Sequence, residues 1–573
     1  MRIQNEEKLH LILEDVFLDE KEPPLSQRHQ ATHSSTKRKF FLLTVILVLV
    51  FLIYASSRPT IDENVMRQGS EAPVAQKPER TTTTEAPLPP LEPGVLEDPT
   101  RRLTRILPVS HVFISSVYYY PTSKSLGPNA IAMSMAVDSK NFNVKNATYS
   151  VVGSNGTHTE LSVATSQTEG VPTCRYAPAM ARTNTVANLT KLEMESNGVK
   201  IEIPFKMARY TAPSPVIICI SPQFVAEQWQ MFLMHVHAAH RFGGHLHVYV
   251  TSMIAAYFEL MKEYEREGYM TLDFWLRMKF THSQTAYFEP NANVEWRNQA
   301  GAETDCLLQY KVGSTFGRVV DVCLGGGTVH CILRHGRYSV PKNYPTYLQE
   351  FNAEWALQPN SSSILYGRRE HEFVKAETLS EFSFIELVDS LKSSPLVKRG
   401  KVVVKPERYN STWIHYSQHE DLSTRHKVEH PSLVHVQRPL QKHSDNKMTT
   451  LWKMEFGQLN ETIRADDVAA IEADIWRMRN LSQVALISQN LPDKDFYLPI
   501  VFKCYYDAFY GPVMVEGKGL DHCPNADLCD LPQREDYKCI HSDAEYFSGP
   551  HMEPFTYHFS NNSHWSKNIG CYQ

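Results

Sequence analysis

The chain has 573 residues, 42% of them hydrophobic and 21% charged, which is enough for two or three domains with a sizeable core and too apolar for a disordered protein. Its 58 Lys and Arg face 63 Asp and Glu, and the resulting net charge of −5 argues against a broad nucleic-acid-binding surface.

Residues 1–36 form a polar, mixed-charge tail with one apolar patch at Leu9–Leu13. The basic cluster Lys37-Arg38-Lys39 then introduces an almost wholly apolar run, Phe40–Ala55, and a transmembrane anchor is expected over 37–57. The run is short, which leaves a signal-peptide hydrophobic region as the alternative. The long tail before it and the poor cleavage pattern Ser56-Ser57-Arg58-Pro59 favour an uncleaved anchor. Basic residues ahead of the span put the tail in the cytosol and everything beyond Ser57 in the lumen. A short span also suits the thin membranes of the early secretory pathway. Glycosylation sequons at Asn146, Asn155, Asn188, Asn360, Asn410, Asn460, Asn480 and Asn561 all follow the anchor, as do all 10 cysteines, so disulfides are allowed.

Residues 58–102 shift to Pro, Thr and Glu and read as an extended stalk. A β-rich accessory region is expected over 103–212, from strand-like runs at Val112–Tyr120, Ala147–Val152 and Val199–Ile203. An α/β core is expected over 213–490. It opens with a strand at Val216–Ile220, a turn at Ser221-Pro222, and a helix whose apolar residues are Val225, Trp229, Phe232, Leu233 and Val236. A strand at His245–Val250 follows. Ser252 is then a candidate cap for a second helix through Ile254, Tyr257, Leu260 and Tyr264, and Thr271–Trp275 is a third strand. Such a β-α-β-α-β run implies parallel strands, with ligands at their carboxyl ends. Residues 491–573 form a Cys-rich C-terminal region, in which Cys504, Cys523, Cys529 and Cys539 are too loosely spaced for zinc and are expected in disulfides of unspecified pairing.

Several segments carry a resemblance. They are Cys219–Gln230, Asn298–Ala302 leading into Asp305–Lys311, Pro345–Phe351, Lys401–Glu407 followed by His415, and Leu433–Arg438. In this combination and order the region from Pro215 to Arg438 resembles glycosyltransferase family 92, a group of galactosyltransferases with single N-terminal anchors. The resemblance implies a glycosyltransferase A-type core, UDP-galactose as donor, a glycan acceptor on glycoproteins, β-1,4 transfer and residence in the Golgi membrane. It also implies an Asp-x-Asp element holding a divalent cation, manganese first, on the donor diphosphate, since hard cations prefer carboxylate and phosphate oxygens.

Gly317–Cys323 stands where that acidic strand belongs, but only Asp321 matches, with Cys323 and Leu324 in place of further acids. Gly325–Ser339 has no counterpart in the family pattern. An exon-junction artefact, an insertion in an inactive glycan-binding homologue and a glycine-rich phosphate loop all fit it. His435 is the further metal candidate that the resemblance suggests, and His415 is a weaker one. Glu350 and Glu354 are candidate acceptor-facing bases, against a reading as solvated surface acids. Lys398, Arg399, Lys401 and Lys405 more readily decorate a strand than bind diphosphate. The crowd of His235, His237, His240, His245 and His247 makes an incomplete metal shell, because only His237 and His240 share a helical turn and no carboxylate stands beside them in sequence.

Overall fold

The structure is a computed structural model that describes residues 110–571, apart from 141–146, 171–172, 282–288, 313–318, 323–330, 334–343, 442–456, 459–463 and scattered positions between 506 and 570, chiefly 513–522. Within 319–322, 331–333, 396–399 and 429–441 only the backbone is described. The expected tail, anchor and stalk lie outside the described residues. Among the described residues no helix is long and apolar enough to cross a membrane.

Eight strands come first: β1 (Ser110–Tyr120), β2 (Ala130–Asp138), β3 (Thr148–Ser154), β4 (Thr159–Thr168), β5 (Tyr176–Asn184), β6 (Lys191–Ser196), β7 (Val199–Glu202) and β8 (Lys206–Met207). Next come β9 (Val216–Gln223), α1 (Trp229–Arg241), β10 (Gly244–Val250), β11 (Ser252–Ile254), α2 (Ala255–Arg266), β12 (Met270–Phe274), α3 (Gln299–Gln309), β13 (Val319–Val322) and β14 (Cys331–Leu333). They are followed by α4 (Tyr347–Leu357), β15 (Ser363–Lys375), α5 (Phe384–Asp389), β16 (Lys392–Val404), β17 (Arg425–Gln441), β18 (Gly457–Gln458), α6 (Ala465–Arg479), α7 (Ser482–Ser488), α8 (Tyr497–Tyr505), β19 (Cys539–Ser548) and β20 (Phe555–Ser566).

The strands form two sheets. The accessory sheet has the order β11-β19-β20-β1-β2-β5-β4-β3-β6-β7. Its central β2 is buried at every position, because one face packs on Val112, Tyr149 and Met194 while the other meets α3, where Ser134 Oγ donates to Gly301 O at 3.1 Å. The C-terminal region contributes β19 and β20 to this sheet, with β20 lying parallel to β1. Cys174–Cys523 ties the two parts of the chain covalently.

The core sheet has the order β12-β10-β9-β13-β16-β15-β17-β14. β12, β10, β9 and β13 are mutually parallel, β16 runs against them, and β15 and β17 run with them. Apolar side chains of α1, α2 and α4 cover one face and α3 covers the other. Both β9 and β10 are buried throughout, as parallel strands with two covered faces must be. The expected α/β class is therefore the observed one.

Two local expectations are corrected. β9 runs through Ser221-Pro222 to Gln223, and a register shift against Val248–Val250 accommodates the proline that cannot donate to a ladder. Ser252 caps no helix. It opens β11, which pairs with β19, so α2 starts only at Ala255.

Candidate functional site

In an open α/β sheet the loops diverge beyond the carboxyl ends of the strands and leave room for a ligand. Here those ends are Gln223, Val250, Phe274 and Val322. Just past β9, Val225 has φ 45°, a left-handed value that a β-branched residue rarely adopts. Ser252 Oγ accepts its N–H at 2.8 Å, which is the use the fold finds for that serine. Trp296, Arg297 and Asn298, immediately before α3, are left-handed as well, with φ of 44°, 57° and 58°. The Arg297 guanidinium lies over the Phe224 ring and 3.3 Å from Asp527 Oδ2, while Arg277 donates to Asp527 Oδ1 at 2.7 Å. Strain of this kind persists only where the surroundings over-determine it, and it gathers at ligand clamps and active sites.

The N-terminus of α1 opens toward the same edge, but protein fills it. Glu227 accepts the N–H groups of Phe496 and Leu498 at 2.9 and 2.8 Å, Trp229 Nε1 donates to Pro492 O, and Lys375 pairs with Asp495 at 2.6 Å. Burial, aided by the Asp495 charge, pushes Glu227 up to about 7.

Behind the edge a buried polar network sets α3 between the two sheets. The Asp305 carboxylate accepts Tyr118 OH at 2.9 Å and Gln309 Nε2 at 3.0 Å, together with Ser116 Oγ and Tyr249 OH. Gln309 Nε2 also reaches Asp273 at 3.0 Å, and His247 Nε2 lies 3.5 Å from the same carboxylate. Burial would raise the Asp273 pKa, but the His247 hydrogen bond and charge, with Lys206 and Gln309, hold it well below the usual range. Cys219–Cys306 locks β9 to α3.

Asp321 lies one residue from the end of β13, in register with Ile218 of β9 and Val403 of β16. The row continues from Val403 to Ile364 and on to His426, so it does not meet His435. His435 pairs with Glu370, six residues further along β15 than Ile364, or roughly 20 Å of strand. The ladder does not bring Asp321 and His435 together. Among the described residues no three His, Cys, Asp or Glu side chains converge as a cation shell. Residues 323–330, which continue from β13, lie outside the described set, as do the side chains of Asp321, Lys398, Arg399 and His435.

Glu350 and Glu354 are not solvated surface acids. Glu350 is 3% exposed, and Glu354 Oε2 is 2.9 Å from His426 Nε2. Their helix begins where Tyr347 N–H meets Phe242 O at the end of α1, which places α4 at the amino edge of the parallel strands. His415 holds Gly400 O at 3.0 Å, and Lys401, buried rather than decorating its strand, donates to Ile414 O at 3.0 Å. Lys405 sits 4.6 Å from the centroid of the Trp355 ring. In the histidine crowd, His237 bonds Asp474 and Tyr264, each at 2.8 Å, His245 bonds Thr271 at 2.9 Å, and His240 stacks on Tyr269.

Sequence reasoning missed the charged ledge of β15. Leu365 aligns with Val402 and thereby with Val322, so Arg368–Glu372 project past the carboxyl edge. Arg368 lies 3.2 Å from Glu370, Lys392 lies 3.5 Å from Glu372, and Arg369 donates to the carbonyls of Ser394 and Pro395. Glu370, His371 and Glu372 are all buried. The signal was present as five consecutive charged or ionisable residues inside a strand, an arrangement that a solvated strand has no need of.

Comparison with known proteins agrees with this layout. The description of glycosyltransferase family 92 matches residues 214–322 and 338–479, and the break falls on the glycine-rich stretch after Asp321. Glycosyltransferase family 92 protein ZK381.2 of Caenorhabditis elegans is 61% identical over 84% of this chain and 93% of its own length. Two more C. elegans members are similar: F55C10.4 at 37% identity (81% of this chain, 91% of its own) and C33H5.2 at 29% (80% and 90%). The chain belongs to glycosyltransferase family 92.

Proposed function

We propose that the protein transfers galactose, in β-1,4 linkage, from UDP-galactose to a glycan acceptor on glycoproteins, at the lumenal face of a Golgi membrane in which residues 37–57 anchor it. The observation that carries this reading is the position of Asp321 at the carboxyl end of β13, beside β9 in the middle of the core sheet. Asp321 would hold a divalent cation, manganese first, whose charge offsets that of the departing UDP. The two other proposed acids, Glu350 and Glu354, stand at the amino edge, so the acceptor base is better sought in Glu370 and Glu372 on the β15 ledge.

The full-length chain, purified in mild detergent, is assayed for radiolabelled galactose transfer from UDP-galactose to free N-glycans, with manganese or with chelator. Transfer is expected with manganese and is expected to fall at least 100-fold in Asp321→Ala. Glu370→Gln should lower kcat with little change in the donor KM. Co-localisation with plasma-membrane rather than Golgi markers would refute the location.

A second reading, a membrane-anchored glycan-binding homologue without transferase activity, is favoured by Cys323 and by the break in the family match between Val322 and residue 338. Wild-type protein that binds glycans but neither transfers galactose nor hydrolyses UDP-galactose would establish it.

A further inference from the structure

A cleft of about 420 Å³ opens at the other end of the core sheet, among residues that precede β15 and β17 and follow β16. That is the amino edge of the parallel strands, where the topology predicts no donor site. Its lining is polar and includes Gln167, Arg408, His419 and Glu420, and its volume is that of a small-ligand site. Two of the chain's own glycosylation sequons, at Asn360 and Asn410, also line it.

The wall that carries Asn410 is firmly built. The buried Glu169 carboxylate, at the end of β4, accepts Ser411 Oγ at 2.8 Å, Ser417 Oγ at 2.6 Å and Gln418 N–H at 2.8 Å. His419 Nε2 bonds Thr168 O at 2.6 Å. The amide of Asn410 carries no hydrogen bond to any described residue, whereas Asn155 Nδ2 donates to Ala187 O at 3.0 Å and Asn480 Nδ2 to Trp476 O at 2.7 Å.

We propose that this cleft is a carbohydrate seat, and that its occupant is the inner part of the chain's own N-linked glycan on Asn410. Donors and acceptors such as Gln167 and Arg408 match the hydroxyl and acetamido groups of N-acetylglucosamine. A tethered sugar needs little affinity, because a short linker sets its effective concentration in the millimolar range. The inference rests on the lumenal placement proposed above, but on neither the donor nor the cation.

The test uses the full chain made in a eukaryotic secretory cell. Native protein is treated with peptide N-glycosidase in ¹⁸O water, and the label left at each sequon reports how fast its glycan was removed. At Asn410 release should be at least tenfold slower than at the exposed Asn188 and Asn561, and the difference should vanish after denaturation. Gln167→Trp, which crowds the cleft without touching a sequon, should bring Asn410 to the rate of the exposed sites. Equal native rates at all three positions, or an unmodified Asn410 beside occupied sequons, would overturn the seat alone. No glycan at any sequon would overturn the lumenal placement and the seat together.

Discussion

The two halves of the core sheet are held by different forces. β12, β10 and β9 are joined by short crossovers, their side chains are almost all buried, and they cohere through apolar packing and the Cys219–Cys306 bond. Across β13 the strands lengthen, the register slips at several points, and charged groups supply many of the contacts, among them Arg368–Glu370 and Lys392–Glu372, beside the Glu354–His426 hydrogen bond. Apolar burial is non-directional and roughly proportional to area, so the parallel half tolerates no cavity but needs no particular partner. Ion pairs are directional and of modest net value, so the other half is better suited to positioning groups than to holding the fold.

The largest test of that contrast is Phe232→Ala. Phe232 is 1% exposed and packs edge-on to Tyr264 at 5.1 Å, so its removal should cost about 3–5 kcal/mol in urea unfolding. A cost under about 1 kcal/mol would mean that the parallel half is not the stability platform. Cys219→Ser is expected next, at roughly 2–5 kcal/mol, since it frees a loop that spans 87 residues. Equal stability of the reduced and oxidised proteins would remove the covalent lock from the comparison.

A third test is a pH slope. Lys311, just after α3, donates to the carbonyls of Pro406 and Tyr409 at 2.7 and 2.6 Å, and burial, helped by Arg182, pushes its pKa down from 10.5 to about 7. The unfolded lysine keeps its proton to a higher pH, so between about pH 7 and 10 the unfolded state binds more protons and stability rises with pH. Thermal melts across that range should show the rise in the wild type and a flatter profile in Lys311→Met. An unchanged slope in the variant would locate the titration elsewhere.

On the half beyond β13, His426→Ala removes the partly buried hydrogen bond to Glu354 and should cost about 1 kcal/mol. A loss matching that of Phe232→Ala would erase the distinction between the halves. Smallest of all, Leu357→Ser on the 72% exposed end of α4 should stay within about 0.5 kcal/mol of the wild type.

The parallel half was legible because its signals are local. Val216–Ile220 and His245–Val250 declare strands by their β-branched and apolar content, and Trp229, Phe232, Leu233 and Val236 share a helical face, so strand, helix and strand appear in the expected order, although β9 runs three residues beyond Ile220 and α1 starts at Trp229, which leaves Val225 outside the helix with a left-handed backbone. The candidate site was legible only at Asp321, whose strand could be placed by order and resemblance. Arg297, Asp527 and the β15 ledge were not, because a charged residue in sequence looks the same whether solvated or buried against a partner 230 positions away.

The sequence by itself determined the order of strands and helices, the α/β class and the expectation that the cysteines would pair, since propensity and periodicity act over a few residues. Which cysteines pair was decided in three dimensions, as Cys174 finds Cys523 across 349 residues. So were the union of β19 and β20 with the N-terminal strands, the diversion of Ser252 from helix cap to support for Val225, and the separation of His435 from Asp321 along the ladder. Each depends on which distant surface arrives beside a residue, and only the packing of two sheets about α3 settles that.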